Sequence, residues 1–231
     1  MRSGFMTRTS QKYYLLPSEP EPYRTCKSKR FITKVVFMSA VDRPRFDQDE
    51  NCIFDGKIGI FPFTKEEPVV RTSKNRAKGY VELKPIENIN KVVVKQCMIK
   101  KILLAIKVKW PQDNIEHIII QQDNARPHIN GDDLEFMEAA KSDGFKITLA
   151  NQPANSPDLN INDLGFFIII QGLQHEKAPK TICELVDAVI EAYEEVEPST
   201  LNCVWLSLQN YMTNVLKNGG NNNSYALYYS L

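Results

Sequence analysis

The stretch "IIIQQDNARPH", residues 118 to 128, places an aspartate, an asparagine, an arginine and a histidine directly behind an apolar run. Asp123 is the residue of most chemical interest. An aspartate just past the carboxyl end of a buried strand is rigidly held and faces solvent, and open α/β sheets bind their ligands there. Asn124, Arg126 and His128 can orient that carboxylate or bond a phosphate. Read alone, the cluster is equally a polar loop whose aspartate caps a turn.

A second cluster, "NSPDLNINDLGFF" (155–167), supplies Asp158 and Asp163. Asp158 lies in a Ser-Pro-Asp turn. Asp163 opens an apolar run, where a negative charge also favours a helix N-terminus. If Asp123 and Asp163 meet at one sheet edge, they form an oxygen-donor set for Mg²⁺ or Mn²⁺, hard cations that prefer carboxylates. A pair of such ions about 3.5–4 Å apart clamps the attacking and leaving oxygens of a phosphodiester displacement.

The elements that must position these groups are legible as periodicities. "IEHIIIQ" (115–121) reads as a buried strand, "DDLEFMEAAKSDG" (132–144) as a helix between an Asp cap and a terminal Gly, and "FKITL" (145–149) as a strand. "DLGFFIIIQGLQ" (163–174) is apolar nearly all round, a buried helix or strand. Upstream, "KYYLLP" (12–17) and "FITKVVFMSAV" (31–41) read as strands. Residues 43–63 read as further strand or a hairpin around Asp55-Gly56, and the polar, basic 64–85 as a surface excursion. Apolar spacing from Ile86 to Trp110 predicts a long helix. "TICELVDAVIEAYEEV" opens on a T-x-x-E capping box, Thr181 to Glu184, and a second amphipathic helix follows from Pro198. Strands alternating with helices give an α/β layer fold, helices packed on a mixed sheet.

Composition narrows the classes. The 231 residues are 42% hydrophobic and 25% charged, with a formal net charge of +1. The chain is not a polycation, so nucleic-acid binding must come from local patches. The five cysteines, at 26, 52, 97, 183 and 203, include no C-x-x-C pair, and with three scattered histidines they offer no zinc spacing. Cys97 and Cys203 fall on helical patterns as core residues. No apolar stretch reaches membrane-spanning length.

"QQDNARPHI" followed by "NQPANSPDLNINDLGFF" resembles the catalytic core of a mariner-like (Tc1/mariner superfamily) transposase of the plant type. Positions 124 to 162, 39 residues, separate Asp123 from Asp163, a spacing similar to that branch. "KSKRFITKVVFMSAVDRPRFD", "FDGKIGIFPF" and "RTSKNRAKGYVELKPI" extend the likeness over roughly residues 5 to 216. The resemblance implies an RNase H-like mixed sheet with flanking helices, DDE/D chemistry on DNA with Mg²⁺ or Mn²⁺, and a nuclear location. It implies that Asp123 and Asp163 are the second and third catalytic carboxylates, that Asn124, Arg126 and His128 support them, and that Asp158 is structural. Residues 1–178 would be the catalytic domain, 179–217 a C-terminal helical extension and 218–231 a disordered tail.

The chain departs from the family pattern at the first carboxylate. In the family it lies on the first strand, in a segment like "HIDEKWF" shortly before "MT". Here "FMTRTSQKYYLLP" matches from Phe5, and no Asp or Glu precedes Glu19. Asp42 and Asp47 fall in a segment with its own match. The expectation is a domain whose first, central strand is largely missing and whose cleavage and strand-transfer activity is disabled. The alternative is a non-catalytic nucleic-acid-binding or dimerisation module, pairing with itself or a full-length relative. Ile168 also stands where the family carries a basic residue.

Two basic clusters are candidates for DNA phosphates: Lys27, Lys29 and Arg30 with their neighbours, and Arg71, Lys74, Arg76 and Lys78. Lysines along the helix of residues 86–110 read better as a solvated face, as do Glu191, Glu194, Glu195 and Glu197.

Overall fold

A computed structural model describes residues 2–6, 33–72, 77–111 and 117–219. The expected strand at 12–17, Cys26, the cluster around Lys27, Lys29 and Arg30, and the tail from residue 220 lie outside the described residues. So do Lys74 and Arg76.

Strand β2 (Lys34–Val41) is the organising element. Its residues alternate between two faces, as a pleated strand requires. Val35 and Phe37 enter one core, and Met38 enters another. On one edge β2 pairs antiparallel with β1 (Arg2–Met6), in register from Arg2 opposite Met38 to Met6 opposite Lys34. On the other edge it pairs antiparallel with β5 (Lys57–Pro62). A separate ribbon joins β3 (Arg45–Phe46) to β4 (Cys52–Phe54).

The hairpin of this region turns at Asp47–Asn51, not at Asp55-Gly56. Asp47 Oδ1 accepts from the backbone N–H groups of Asp49 (2.9 Å) and Asn51 (2.8 Å), which folds the loop on itself. Gly56 instead turns the chain from β4 into β5. Its φ of +76° suits glycine, and a Cβ there would meet the Asp42 carbonyl oxygen at 2.3 Å.

Residues 64–85, read as a surface excursion, carry a strand at each end and bury none of the residues of those strands. Strands β6 (Thr64–Pro68) and β7 (Val81–Pro85) form an antiparallel ribbon. Its strands lack the alternation of apolar and polar residues that would mark them in the sequence.

The long helix begins at α1 (Lys91–Cys97), five residues later than its apolar spacing suggests. Asn90 sets the start, its side chain accepting from the N–H groups of Val92 and Val93. The helix passes through a π-helical stretch, Met98–Leu103, into α2 (Leu104–Lys109). Strand β8 (Ile118–Gln122) follows, then α3 (Leu134–Lys141), capped by Asp133, and β9 (Ile147–Asn151), which runs parallel to β8. Ile119 on β8 is 58% exposed, so the strand is not buried throughout.

Residues 163–174 are helical: a π-helical turn, Asn162–Phe166, leads into α4 (Phe167–Glu176). Helices α5 (Ile182–Glu195) and α6 (Pro198–Lys217) are the last elements of the described residues. The capping box at Thr181 and Glu184 is formed in both directions. Thr181→Ala is expected to cost about 1 kcal/mol in urea unfolding, with no change in slope.

The first core joins β8, β9, α1, α2 and α3 through residues such as Ile102, Phe136 and Ile147. The second joins the β1-β2-β5 sheet to α4 and α5 through Phe5, Phe37, Phe166, Leu185 and Tyr193. The architecture is therefore mixed α/β. Among the described residues the expected mixed sheet, its central strand largely missing, is divided: β1-β2-β5 and β8-β9 are not hydrogen-bonded to each other, and the ribbons β3-β4 and β6-β7 stand apart from both. Cys97 is buried, and burial pushes its thiol up to about 11. Cys203 is exposed, against the core reading, because α6 buries Leu201 and Leu208 on its other side. No helix of the described residues is long and apolar enough to cross a membrane.

Candidate functional site

Asp123 is the first residue after β8. Its Oδ1 accepts from the Ala125 N–H at 2.9 Å, a side-chain turn that fixes the carboxylate at the strand end. The His128 ring is buried behind it, with Nδ1 2.7 Å from Asp123 Oδ1 and 3.0 Å from the Asp123 carbonyl oxygen. Two oxygen acceptors at one ring nitrogen place a proton there, so Nδ1–H donates and locks the carboxylate's orientation.

The loop that follows is tied to the rest of the edge. Asn124 Nδ2 donates to the Gln152 carbonyl oxygen (2.8 Å), and the Gln152 N–H donates to the Gln122 carbonyl oxygen (2.8 Å). These bonds hold the ends of β8 and β9 together. Gln121 Nε2 donates to the Leu159 carbonyl oxygen (2.7 Å), which brings the Pro157–Leu159 turn against the same strand end. Asp158 lies in that turn and accepts from Tyr211 Oη at 3.0 Å, fastening it to α6. Asn160 Oδ1 then accepts from the Asn162 N–H (3.0 Å) as the chain enters the π-helical turn that carries Asp163. Arg126 is exposed beside Asp123.

Asp163 and Asp123 thus reach one edge from opposite directions. The Asp163 carboxyl is held above its ordinary range, first because surrounding protein strips its water, and second because the Asp123 charge is close enough to oppose it. The residue still presents an exposed face, so the group is crowded rather than sealed. A pair of carboxylates that repel each other across a solvent-accessible edge fits a hard divalent cation, which would relieve the repulsion. The set is small: among the described residues, no group of three His, Cys, Asp or Glu side chains is placed to hold a metal.

The basic candidates divide. Arg71 and Lys78 are exposed near the tip of the β6–β7 ribbon. Lys95 pairs with Asp133 at 2.8 Å and Glu135 at 3.3 Å. Lys107 donates to the Ala139 carbonyl oxygen (3.0 Å) and pairs with Asp143 at 2.9 Å. These two helix lysines serve the fold. Glu191 and Glu195 share Lys177, at 3.1 and 2.6 Å, on the exposed face of α5. Ile168 on α4 is 65% exposed, five positions past Asp163.

The fold is shared with solved mariner transposase complexes. A Mos1 transposase paired-end complex with the left transposon end matches at 17% identity and a TM-score of 0.58, over 96% of this chain and 54% of that one. A Mos1 mariner paired-end complex with Mn matches at 18% and 0.57, and a Mos1 strand transfer complex at 18% and 0.56, each with the same coverage. The chain spans about half the length of these solved chains. No protein-family model and no curated protein sequence matches it.

Proposed function

We propose that this chain is a DNA-binding domain of the mariner transposase type, plant-like in its motif spacing, with an RNase H-like sheet. In this reading the Asp123–Asp163 edge is the remnant of a two-metal site for phosphodiester cleavage and strand transfer. The observation that carries the reading is the convergence of Asp123 and Asp163, far apart in sequence, on one edge where the Asp123 charge opposes ionisation of Asp163. The mariner fold supports it, as does the Mn in one solved relative.

The residues have distinct roles. Asp123 and Asp163 would hold Mg²⁺ or Mn²⁺, which supplies charge neutralisation for a phosphodiester oxygen. His128 orients Asp123, and Asn124 fixes the loop that carries it. Arg71 and Lys78 at the ribbon tip contact DNA phosphates without reading sequence, together with Lys74, Arg76, Lys27, Lys29 and Arg30. Dimerisation and a nuclear location belong to the same reading.

Two carboxylates alone hold a cation weakly, and the described residues bring no third donor to the edge. The chain is therefore proposed to bind DNA without cutting it. The experiment is a salt-titrated binding assay on duplex DNA, run beside a nicking assay with Mg²⁺ and Mn²⁺. The expected result is binding that weakens steeply as salt rises, with no nicking. Metal-dependent nicking that disappears in Asp123→Ala would make the chain an active enzyme. Absence of binding at low salt would remove the DNA reading altogether.

A further inference from the structure

Helix α6 is tied to two places at once. Just past the end of β2, the Asp42 carbonyl oxygen accepts from Trp205 Nε1 at 3.0 Å. Beside it Arg43 donates from Nε to Asn202 Oδ1 (3.1 Å) and from Nη1 to Gln209 Oε1 (3.2 Å). At the carboxylate edge, Tyr211 Oη donates to Asp158 Oδ2 at 3.0 Å. Asn202, Trp205 and Gln209 recur at helical spacing and share one stripe of α6. Val204 and Tyr211 lie two turns apart on a second stripe, and the buried Leu201 and Leu208 run between the two.

The second stripe holds the chain on both sides of Asp163. Before it stands the Pro157–Leu159 turn, bonded through Asp158 to Tyr211. After it stands Gly165, in the π-helical turn that carries Asp163. A Cβ at Gly165 would meet Val204 Cγ1 at 3.0 Å and Cγ2 at 3.4 Å, so the absence of a side chain lets α6 lie directly on that turn. A restraint is needed there, because the Asp123 charge opposes ionisation of Asp163 and like charges left free swing apart. Strand β8 supplies one tie, from Gln121 Nε2 to the Leu159 carbonyl oxygen (2.7 Å). A single bond lets the turn pivot. The bond from Tyr211 fixes it, and a hydroxyl donating to a carboxylate makes one of the stronger hydrogen bonds.

We propose that Tyr211 is a positioning residue for the divalent cation: acting through Asp158, it fixes how far the Asp163 carboxylate stands from that of Asp123. The inference rests on the metal reading of that pair. It makes α6 part of the frame of the site, anchored at the end of β2 and braced against the edge, rather than an extension apart from it. Tyr211 touches neither cation nor DNA in this role. A cation shared by two oxygens loses affinity when their separation is free to widen, which is why partners behind the ligands matter to metal sites.

The test measures the Mn²⁺ affinity of the full chain from the paramagnetic resonance signal of the free ion. Asp163→Asn identifies the binding that belongs to the edge. Tyr211→Phe removes one oxygen and keeps the ring, and is expected to weaken that binding about tenfold. Asp158→Ala should weaken it equally, and the two changes together no further, since both break the same link. Thr181→Ala, which loses stability at the start of α5, should leave the affinity unchanged, separating positioning from stability. A second route avoids dependence on one variant. Gly165→Ala crowds Val204 and should weaken Mn²⁺ binding, and Val204→Ala added to it should restore the parent affinity. Parent affinity in Tyr211→Phe, or losses that add when Asp158→Ala is combined with it, would overturn the proposal and leave the metal reading standing. Absence of any Mn²⁺ binding that Asp163→Asn removes would overturn the metal reading, and this inference with it.

Discussion

Mn²⁺ is expected to raise the thermal unfolding midpoint at neutral pH, and Asp163→Asn to abolish that rise. A cation that binds only the folded chain, at a hundredfold excess over its Kd, contributes about 2.7 kcal/mol. For a chain of this length that is a shift of roughly 5–11 °C. The pH dependence has a definite sign. The Asp163 carboxyl titrates higher in the folded chain than its ordinary value of 3.8. Without metal, the crowded charge therefore opposes folding above the raised pKa, and the penalty fades as pH falls through it. Metal needs the ionised form, so its stabilisation is present at neutral pH and lost over the same descent. Asp163→Asn removes the repulsion as well, so the metal-free variant should melt above the parent at pH 7. Calorimetry with and without Mn²⁺ at pH 4 and pH 7 reads all four states. An equal Mn²⁺ response in parent and variant would place the cation elsewhere.

Phe37→Ala is expected to destabilise the chain by about 3–5 kcal/mol, a large part of the roughly 5–15 kcal/mol that holds a domain together. Phe37 is fully buried on β2 and packs edge-to-face on Phe5, with ring centroids 5.3 Å apart. Its removal costs the transfer term of the ring and leaves a cavity bounded by the β-sheet and the helices packed on it, which have little freedom to collapse. Urea unfolding should show the midpoint falling while the slope stays constant. A loss below about 1 kcal/mol, typical of surface substitution, would mean that β1 and the helices do not pack on β2 as described.

Much of this fold is legible where one local rule acts alone. Thr181 and Glu184 form a capping box because the four-residue pattern contains both donors and both acceptors. Asp133 caps α3 for the same kind of reason. The β6–β7 ribbon is illegible because "TKEEP" has no apolar alternation; main-chain pairing with a distant strand makes it. The start of α1 is misplaced because Ile86 and Ile89 pack on the first core without being helical. The π-helical stretches leave almost no trace, since no residue type or short pattern marks the change to i→i+5 bonding. Cys203 misleads because helical periodicity says which residues share a face, not which face is inward. At the site, strand and loop are readable around Asp123. Its meeting with Asp163 depends on the Gln121–Leu159 bond and the Tyr211–Asp158 bond, long-range contacts that no local pattern encodes.

Strand β2 is a party wall. It lends Val35 and Phe37 to one room and Met38 to the next, and β5, laddered to it, likewise lends Ile60 to the first and Ile58 to the second. A disturbance on either side reaches the other through this pair of strands, so the two compartments melt together even though each has its own interior.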